Sequence, residues 1–383
     1  MPAGGEIVVM SEAFHSGSGR YLLQLANALS DIEPVTVVSP PHESERGFGP
    51  KVVRRHLPDI QGLKPALLKA FAMQRQTLCR IWLALTLRRR AKVYLVLFPG
   101  KVVFALQLLA ALKLCGRRVV LNVHDVRPHA RHLRIVPQAV ERLLFTLCYR
   151  LPHAIVVQTD AAARELAELH GVPSARIFVV PHGDFSLSPA ILPPPDEDGV
   201  FLVFGALRAN KCVMESIRAV QSLRREDGST RLILAGAASK EESAYWQACK
   251  RQIAEAPEGI ELREGYVADG DLPALFRASS ALLLPYRDFS SQSGVAVMAI
   301  AAGRPIVATA SGGIADLFAA GDIGARIAEP VTADTIMDAL RTFRQRPAAE
   351  RHAGVVEAAK ALSQAASWPQ VAAGFRQALS EAA

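Results

Sequence analysis

Two segments in the second half of the chain carry residue types suited to binding a diphosphate. FGALRANK, at 204–211, places Arg208 and Lys211 directly after an apolar strand-like run. SSQSGVAVMAIAAGRPIVATASGG, at 290–313, divides into a polar glycine turn, an apolar helical run and a short strand. A glycine turn that opens a helix aims free backbone N–H groups and the helix dipole at an anion. An arginine and a lysine add formal charge and further donors, so these segments predict a diphosphate site on the carboxyl edge of a parallel sheet.

Four segments occur in a characteristic order and spacing: NVHDVRPH at 122–129, VVPHG at 179–183, FGALRANK at 204–211 and SQSGVAVMAIAAGRPIVAT at 291–309. Together they resemble the retaining family-4 (group 1) glycosyltransferases of the GT-B fold, the type that builds bacterial surface polysaccharides. The resemblance covers nearly the whole chain. It implies two Rossmann-like domains whose parallel sheets face a central cleft, and a nucleotide diphosphate sugar as the donor.

Length and patterning agree with a two-domain α/β chain. The 383 residues are too many for one ordinary core, and half of them are hydrophobic. Short Val, Ile and Leu runs alternate with amphipathic helical patterns, which predicts parallel sheets covered by helices. We expect an acceptor-binding domain over 1–185, a nucleotide-sugar-binding domain over 186–365, and a terminal helix over 366–383 that packs back on the first domain. Pro189–Asp198, which contains PPPDED, is predicted to be a stiff polar linker without core-forming residues.

The individual elements follow from the same patterns. Strands are predicted near 6–10, 35–39, 52–57, 93–97, 118–123, 154–158, 177–180, 200–204, 231–235, 259–264, 281–285, 305–309 and 324–327. Helices of the first half are predicted near 18–30, 64–91, 101–115, 137–150 and 160–170, and a closing helix over Trp368–Leu379.

The resemblance assigns roles around the diphosphate. Arg208 and Lys211 are expected to clamp it and to neutralise the leaving group; a solvated helix start is the alternative. Many relatives carry an arginine where this chain has Ala206, and a subset carries it at the position of Arg208. Cys212 replaces the usual glycine after the lysine.

The glycine turn is expected to bind the diphosphate through backbone amides of Ser293, Gly294 and Val295. Many relatives place two glutamates over this segment, at the positions of Ser290 and Met298 here, so both carboxylates are missing. A similar SQSG variant occurs in a subset of the family. Gln292 and Ser293 are therefore interpreted as partial replacements, with a decayed site as the alternative.

The remaining candidates also take their roles from the resemblance. His124 would contact a donor-sugar hydroxyl or stabilise an oxocarbenium-like transition state, with an ordinary hydrogen-bonded loop residue as the alternative. Asp125 would be an acceptor-side base or a loop cap. His129 and Arg131 would contact the acceptor or an anion. Donor contacts are also expected of two turns, Gly17, Ser18 and Gly19 in the first and His182 and Gly183 in the second, with an ordinary turn as the alternative for each. They are expected as well of Tyr266 and Val267 in a strand-end loop, with a core position as the alternative for Tyr266.

Charge is divided unevenly between the halves. Residues 1–185 hold 24 Lys and Arg against 13 Asp and Glu, a net charge of +11, whereas 186–383 hold 20 against 23, a net charge of −3. Lys64–Lys92 mixes basic residues with Leu67, Phe71, Leu78 and Trp82. This pattern predicts either an interfacial helix on anionic lipid or a core-packed helix with a solvated basic face. No recognition motif supports nucleic-acid binding.

Other composition signals narrow the class of protein. No run of eighteen uncharged apolar residues occurs, and the N-terminus lacks a signal-peptide pattern. The five cysteines are scattered, which argues against zinc or a disulfide framework and for a cytoplasmic protein, peripheral on the inner membrane if the basic helix docks there. No D-x-D-type carboxylate pair lies in the matched segments, so neither a metal nor a separate cofactor is expected.

The sequence thus predicts a glycosyltransferase that moves a sugar from a nucleotide diphosphate donor to a saccharide acceptor, lipid-linked if the membrane interpretation is right, with retention. Two alternatives remain open. One is an inverting transferase with Asp125 as the base. The other is a non-catalytic partner that binds nucleotide-sugars or lipids, for which the missing glutamates are the main support.

Overall fold

Short apolar runs of the chain form two parallel β-sheets, each in its own unit. The computed structural model describes residues 6–12, 16–41, 47–60, 66–87, 91–97, 101–126, 136–183, 191–195, 197–238 and 242–382, without the side chains of 16–18, 66, 67, 91, 92 and 269. One unit comprises Met1–Gly183 together with Ala366–Ala383, and the other comprises Asp184–Ala365.

The first unit contains a seven-stranded parallel sheet in the order β3-β2-β1-β4-β5-β6-β7. Its strands are β1 (Glu6–Ser11), β2 (Val35–Ser39), β3 (Val52–His56), β4 (Ala91–Leu97), β5 (Arg118–Asn122), β6 (Ala154–Val157) and β7 (Ile177–Val179). Its helices are α1 (Ser16–Ser30), α2 (Ala66–Thr86), α3 (Val102–Leu114), α4 (Gln138–Arg150), α5 (Asp160–His170) and, from the end of the chain, α13 (Trp368–Glu381).

Helices cover both faces of this sheet, and the apolar strand sequences reflect that. Val9 pairs with Val37 on one side and Leu95 on the other, and all three are buried. One core cluster joins residues of α2, α3, α4 and α5 to the sheet, whereas α13 packs against α1, β6 and β7. A strand that is buried on both faces needs a continuous rather than an alternating apolar sequence, as the VVLN of β5 shows.

The second unit contains a six-stranded parallel sheet in the order β10-β9-β8-β11-β12-β13. Its strands are β8 (Val200–Phe204), β9 (Arg231–Gly236), β10 (Ile260–Glu264), β11 (Ala281–Leu284), β12 (Ile306–Thr309) and β13 (Gly324–Ile327). Its helices are α6 (Val213–Asp227), α7 (Ser243–Glu255), α8 (Leu272–Arg277), α9 (Gly294–Ala301), α10 (Gly313–Ala320), α11 (Ala333–Gln345) and α12 (Ala348–Ala365).

Each sheet reverses its strand order once, between β1 and β4 in the first unit and between β8 and β11 in the second. At such a reversal the neighbouring connections leave towards opposite faces, which opens a crevice outside the carboxyl ends of the two strands. Ligands of open α/β sheets bind in these crevices. The predicted diphosphate segments follow β8 and β11, the two strands at the reversal of the second sheet.

The predicted fold class, α/β with two parallel-sheet halves, is confirmed. The predicted strands and helices all occur, with ends that shift by a few residues. The helix predicted near 64–91 is shorter, because α2 ends at Thr86 and β4 begins at Ala91.

The prediction of a linker without core-forming residues is wrong for 191–195, which lies in its described part. Ile191 and Leu192 pack against the core of the second unit, and Leu192 N donates to Ala302 O at 3.1 Å. Arg304, which is fully buried, donates from Nη2 to Pro193 O at 2.6 Å. The apolar pair that precedes PPPDED therefore anchors this segment. Pro189, Ala190 and Asp196 lie outside the described residues.

The structure contradicts one of the two interpretations of the basic run 64–92, the core-packed helix. Phe71, Leu78 and Trp82 are exposed, not directed at the core. Arg80 is buried instead and donates from Nη2 to Glu12 Oε1 at 2.8 Å. The core-packed alternative is therefore wrong for these three apolar residues. Lys64 and Arg88–Arg90, like the side chain of Leu67, lie outside what the structure describes.

Candidate functional site

The carboxyl ends of β8 and β11 bring the two predicted diphosphate segments together in the second unit. A Cβ placed on Gly205, directly after β8, would lie 3.5 Å from Nζ of Lys211 and 3.8 Å from Cγ2 of Val295. Lys211 belongs to the first segment and Val295 to the second. A cation and the start of a helix therefore lie around one bare backbone position, and this arrangement can hold an anion.

The turn that carries Lys211 is fixed by hydrogen bonds. Lys211 N donates to Arg208 O at 3.1 Å, and Arg287 N donates to Asn210 O at 2.8 Å, which attaches the turn to the loop after β11. The Lys211 ammonium lies 5.3 Å from the ring centre of Tyr286. Among the described residues, neither Lys211 nor the half-buried Arg208 forms an ion pair. Both charges are thus available to a ligand.

Helix α9 begins at this edge with its first amides available. Ser293 is the N-cap, and its hydroxyl accepts from Ala296 N at 3.2 Å. The N–H groups of Gly294 and Val295 precede the first intrahelical donor and have no acceptor among the described residues. A Cβ on Gly294 would meet nothing within 4 Å, so the space in front of the helix is open. The structure therefore offers the anion-binding end of a helix where the sequence predicts it.

The two residues before the cap are buried polar groups. Ser291 Oγ and Gln292 Oε1 have no hydrogen-bond partner among the described residues. Gly312 lies directly against the backbone of this segment, because a Cβ on it would lie 2.6 Å from Ser291 O. Leaving a buried polar atom unpaired costs about 1–3 kcal/mol, so a ligand that pairs with Gln292 would recover that free energy.

The loop after β10 reaches the same edge through backbone contacts. Gly265 N donates to Gly236 O at 2.9 Å, and a Cβ on Gly236 would overlap Gly205 O. Tyr266 is 75% exposed, so the alternative that it is a core residue is wrong, whereas Val267 packs against the core. An exposed aromatic ring on a strand-end loop is suited to stacking on a base.

Cys212 adopts the left-handed conformation at φ 49, directly after Lys211. That is the backbone conformation that glycine adopts at no steric cost, so the turn keeps the shape that the usual glycine would give it. The side chain is fully buried, and burial raises the pKa of the thiol to about 11. It is therefore a neutral packing group.

In the first unit, His124 and His182 lie close together beyond the carboxyl ends of β5 and β7. Their ring centres are 6.0 Å apart, and both rings belong to segments that the resemblance assigns to the donor sugar. His182 is buried, and desolvation together with the nearby His124 lowers its pKa to about 3. Asp125 follows as a half-buried carboxyl.

Sequence reasoning missed the residues that surround this histidine pair. Tyr21 of α1 lies 5.1 Å from the His182 ring and 5.7 Å from the Trp368 ring of α13. Asn122 Nδ2 donates to the Tyr21 hydroxyl at 3.4 Å. The positions of these residues along the chain give no sign that they meet.

Five further residues were predicted to belong to the site. Gly17, Ser18 and Gly19 fall in the first turn of α1, with Gly19 buried and the side chain of Ser18 outside the described set. His129 and Arg131 also lie outside it.

Within the described part of the chain, no cluster of three or more His, Cys, Asp or Glu side chains could hold a metal ion.

Two family models match the chain. Residues 15–183 match the model described as Glycosyltransferase Family 4, and residues 198–345 match the one described as Glycosyl transferases group 1. Each match falls on one of the two parallel sheets. The chain therefore belongs to the glycosyltransferases of the GT-B fold.

Individual relatives are more distant. A lipopolysaccharide 1,2-N-acetylglucosaminetransferase of Salmonella typhimurium is 25% identical over 54% of this chain and 57% of its own length. A glycogen synthase of Mycobacterium tuberculosis is 31% identical over 48% of this chain and 44% of its own. The match thus spans about half the length of these curated relatives. The structure of Anabaena Alr3699/HepE in complex with UDP-glucose has a TM-score of 0.75 at 16% identity, over 98% of this chain and 99% of that one, which shows the same fold.

The left-handed turn at Cys212 generates a testable prediction. Cys212→Gly should change the free energy of unfolding by less than about 1 kcal/mol, because relief of left-handed strain offsets the lost side-chain burial. Cys212→Val should cost about 2 kcal/mol or more, because a β-branched residue is strained at positive φ. Urea unfolding measures both. Cys249→Val, at a buried cysteine in the right-handed helix α7, is the matched control, and an equal cost at the two sites would contradict the account.

Proposed function

We propose that the chain transfers a glycosyl group from a nucleotide diphosphate sugar to a saccharide acceptor. The observation that carries the proposal is the meeting of Lys211 Nζ and the start of α9 around Gly205. The UDP-glucose in the Anabaena neighbour supports a UDP-sugar as the donor class. The Salmonella relative, named for lipopolysaccharide, supports a role in polysaccharide biosynthesis.

The chemistry of transfer explains why cations and amides are needed. As the bond between the anomeric carbon and the phosphate oxygen breaks, negative charge develops on the departing diphosphate. The acceptor oxygen bonds to the anomeric carbon, and its proton passes to a phosphate oxygen of the departing diphosphate. Preorganised donors aimed at developing charge are among the strongest sources of rate enhancement. Arg208, Lys211 and the amides of Gly294 and Val295 would supply them. Because they supply positive charge themselves, we propose that transfer needs no divalent ion.

The sugar would meet other groups. We propose that Gln292 pairs with a donor hydroxyl, that Tyr266 and Val267 lie against the base, and that His124, His182 and Gly183 contact the donor sugar. The turn Gly17–Gly19 would add backbone amides to the diphosphate. These roles rest on the family resemblance, together with the burial of Gln292 and the exposure of Tyr266.

The stereochemical outcome is proposed to be retention, as the resemblance implies. The competing mechanism is inversion with Asp125 as the base. The NMR coupling constant of the anomeric proton in the product reports its anomeric configuration, which would match that of the donor for retention and differ from it for inversion.

We further propose that the acceptor is lipid-linked and that the first unit takes it at an anionic membrane surface. Support comes from an apolar surface across three neighbouring helices, since α2 packs on α3 and α3 on α4. Phe71 and Trp82 of α2 are 73% and 63% exposed, and Leu143 of α4 is 57% exposed. Further exposed apolar residues on this three-helix face are Leu68, Leu78, Leu85, Val103, Leu114, Val140 and Leu147.

The charges on the three-helix face favour anionic lipid as its partner. Helices α2 and α3 contain no acidic residue, and the only one in α4, Glu141, is buried. Lys69, Arg75, Lys113 and Arg142 are exposed on the same helices. Each Lys or Arg near an anionic surface contributes about 1 kcal/mol, and the aromatic side chains suit the interfacial region. In the described part of the chain, no helix has the length and hydropathy needed to cross a bilayer.

The diphosphate proposal predicts the effect of removing each cation. Lys211→Ala and Arg208→Ala should each lower turnover about tenfold to a hundredfold, since a charge-assisted contact contributes about 1.5–3 kcal/mol. Melting temperatures should stay close to the parent value, because neither side chain pairs within the described protein. The assay is donor consumption and product formation, with and without EDTA. Lys360→Ala, an exposed lysine of α12, is the control. Unchanged turnover in both variants would contradict the proposal, and loss in EDTA would refute its metal-free part.

The membrane proposal predicts salt-sensitive binding to vesicles. Co-sedimentation should rise with the fraction of phosphatidylglycerol and fall in high salt. Lys69→Glu with Arg75→Glu, or Phe71→Ser with Trp82→Ser, should abolish it without lowering the melting temperature, because all four side chains are exposed. Lys360→Glu is the charge control in the other unit. A protein that ignores anionic vesicles at low salt would refute the proposal, and a concentration-dependent dimer lost in the Phe71 and Trp82 variant would assign the face to a second copy.

A further inference from the structure

The end of the chain returns to the first unit and covers the residues just after β7. Helix α13 approaches the segment 180–183 at two points. A Cβ on Gly183 would lie 2.4–2.6 Å from three ring atoms of Trp368, and a Cβ on Gly374 would lie 3.0 Å from Cγ2 of Val180. The first contact leaves no room for a larger residue at Gly183, and the second is tight at Gly374. The helix is therefore fitted to this segment at both positions.

Tyr21 packs near both His182 and Trp368. Its ring centre lies 5.1 Å from that of His182 and 5.7 Å from that of Trp368. The Tyr21 hydroxyl accepts a hydrogen bond from Asn122 Nδ2 at 3.4 Å, and Gln158 Nε2 donates to Asn122 Oδ1 at 3.3 Å. These hydrogen bonds fix Tyr21 to the ends of β5 and β6. Tyr21, Asn122 and Gln158 are all buried, so the arrangement is part of the packed interior.

His182 occupies the position that these contacts define. Its Nδ1 lies 3.2 Å from Gly183 O, and because a carbonyl can only accept, Nδ1 carries the proton in this hydrogen bond. Its pKa is lowered to about 3, first by burial and then by the nearby His124. The described titratable groups that face it are His124 beyond β5 and Tyr21 on α1, while α13 presents the apolar Trp368 ring. The imidazole is therefore neutral at any physiological pH.

We propose that Trp368 is a positioning residue for transfer. It holds His182 as a neutral, Nδ1-protonated imidazole against His124. Helix α13 thereby helps to position the groups that would contact the donor sugar. The proposal rests on the proposed function only in the roles that it gives His124 and His182. Trp368 acts through Gly183 and Tyr21 and needs no contact with the substrate. The C-terminal helix thus has a task beyond covering apolar surface.

The first test reads the histidines directly, without an activity assay. In ¹⁵N-labelled full-length protein, the imidazole spectra should show His182 as the Nδ1–H tautomer with no titration between pH 5 and 8. In Trp368→Ala, water reaches the ring, and His182 should titrate near its ordinary pKa of about 6.5. The matched control is Phe375→Leu, a buried change in the same helix, which should leave His182 neutral. If Trp368→Ala leaves the tautomer and the lack of titration unchanged, the proposal is overturned.

The second test separates positioning from general destabilisation. Trp368→Ala should lower kcat about tenfold to a hundredfold, as expected of a small misplacement, with donor KM within about twofold. Activity of this variant should also fall as the pH drops through about 6.5, a limb absent from the parent. If Phe375→Leu lowers kcat as much at equal melting temperature, Trp368 is merely structural. If Trp368→Ala does not fold, Trp368→Phe should show the same changes at smaller size. If the parent transfers no sugar, the proposed function fails, and the spectra still decide the role of Trp368.

Discussion

The proposed donor site depends on one constraint: a negative diphosphate would have to be held by groups that lose little by leaving water. Backbone amides at the start of α9 meet this condition, because the fold has already left Gly294 and Val295 without acceptors among the described residues. Lys211 meets this condition differently. Its ammonium lies near the Tyr286 ring and forms no ion pair with any described residue. The strand reversal between β8 and β11 gathers these groups at one edge of the sheet.

Small residues make this edge possible. Gly205 and Gly236 approach so closely that a Cβ on the latter would overlap the carbonyl of the former. Gly312 allows the chain to pass over Ser291 in the same way. At Cys212 the turn keeps a glycine-like backbone without a glycine, and the buried thiol side chain contributes packing at a position that is usually bare.

Much of this could be predicted from sequence, for a physical reason. Arg208 and Lys211 follow β8, and the start of α9 lies between β11 and β12. The apolar runs of these strands are easy to find, and their parallel order fixes the edge at which the connecting segments emerge. Tyr21, His182 and Trp368 could not be predicted to meet, because their contact joins distant parts of the chain through tertiary packing. The burial of Arg80 could not be predicted for a related reason, because its partner, Glu12, lies far back in the sequence.

The direction of an apolar side chain was equally hard to predict. Phe71 and Trp82 are apolar residues of the kind that usually face a core. They face outwards because of how α2 packs on its neighbours, and the sequence of α2 alone does not show this. In 191–195 the error was the reverse. A proline-rich stretch looked like a spacer, yet Ile191 and Leu192 beside it are packed, and Pro193 O is bound by Arg304.

The central claim, that Lys211 and the first amides of α9 bind the donor diphosphate, is tested most directly by amide chemical shifts. The full-length, ¹⁵N-labelled protein would be titrated with UDP and, separately, with uridine. We expect the largest shifts at Gly205, Gly294 and Val295 with UDP, much smaller shifts at these amides with uridine, and affinity weakened about tenfold or more in Lys211→Ala. Shifts confined to other parts of the chain, or equal affinity in the variant, would contradict the account.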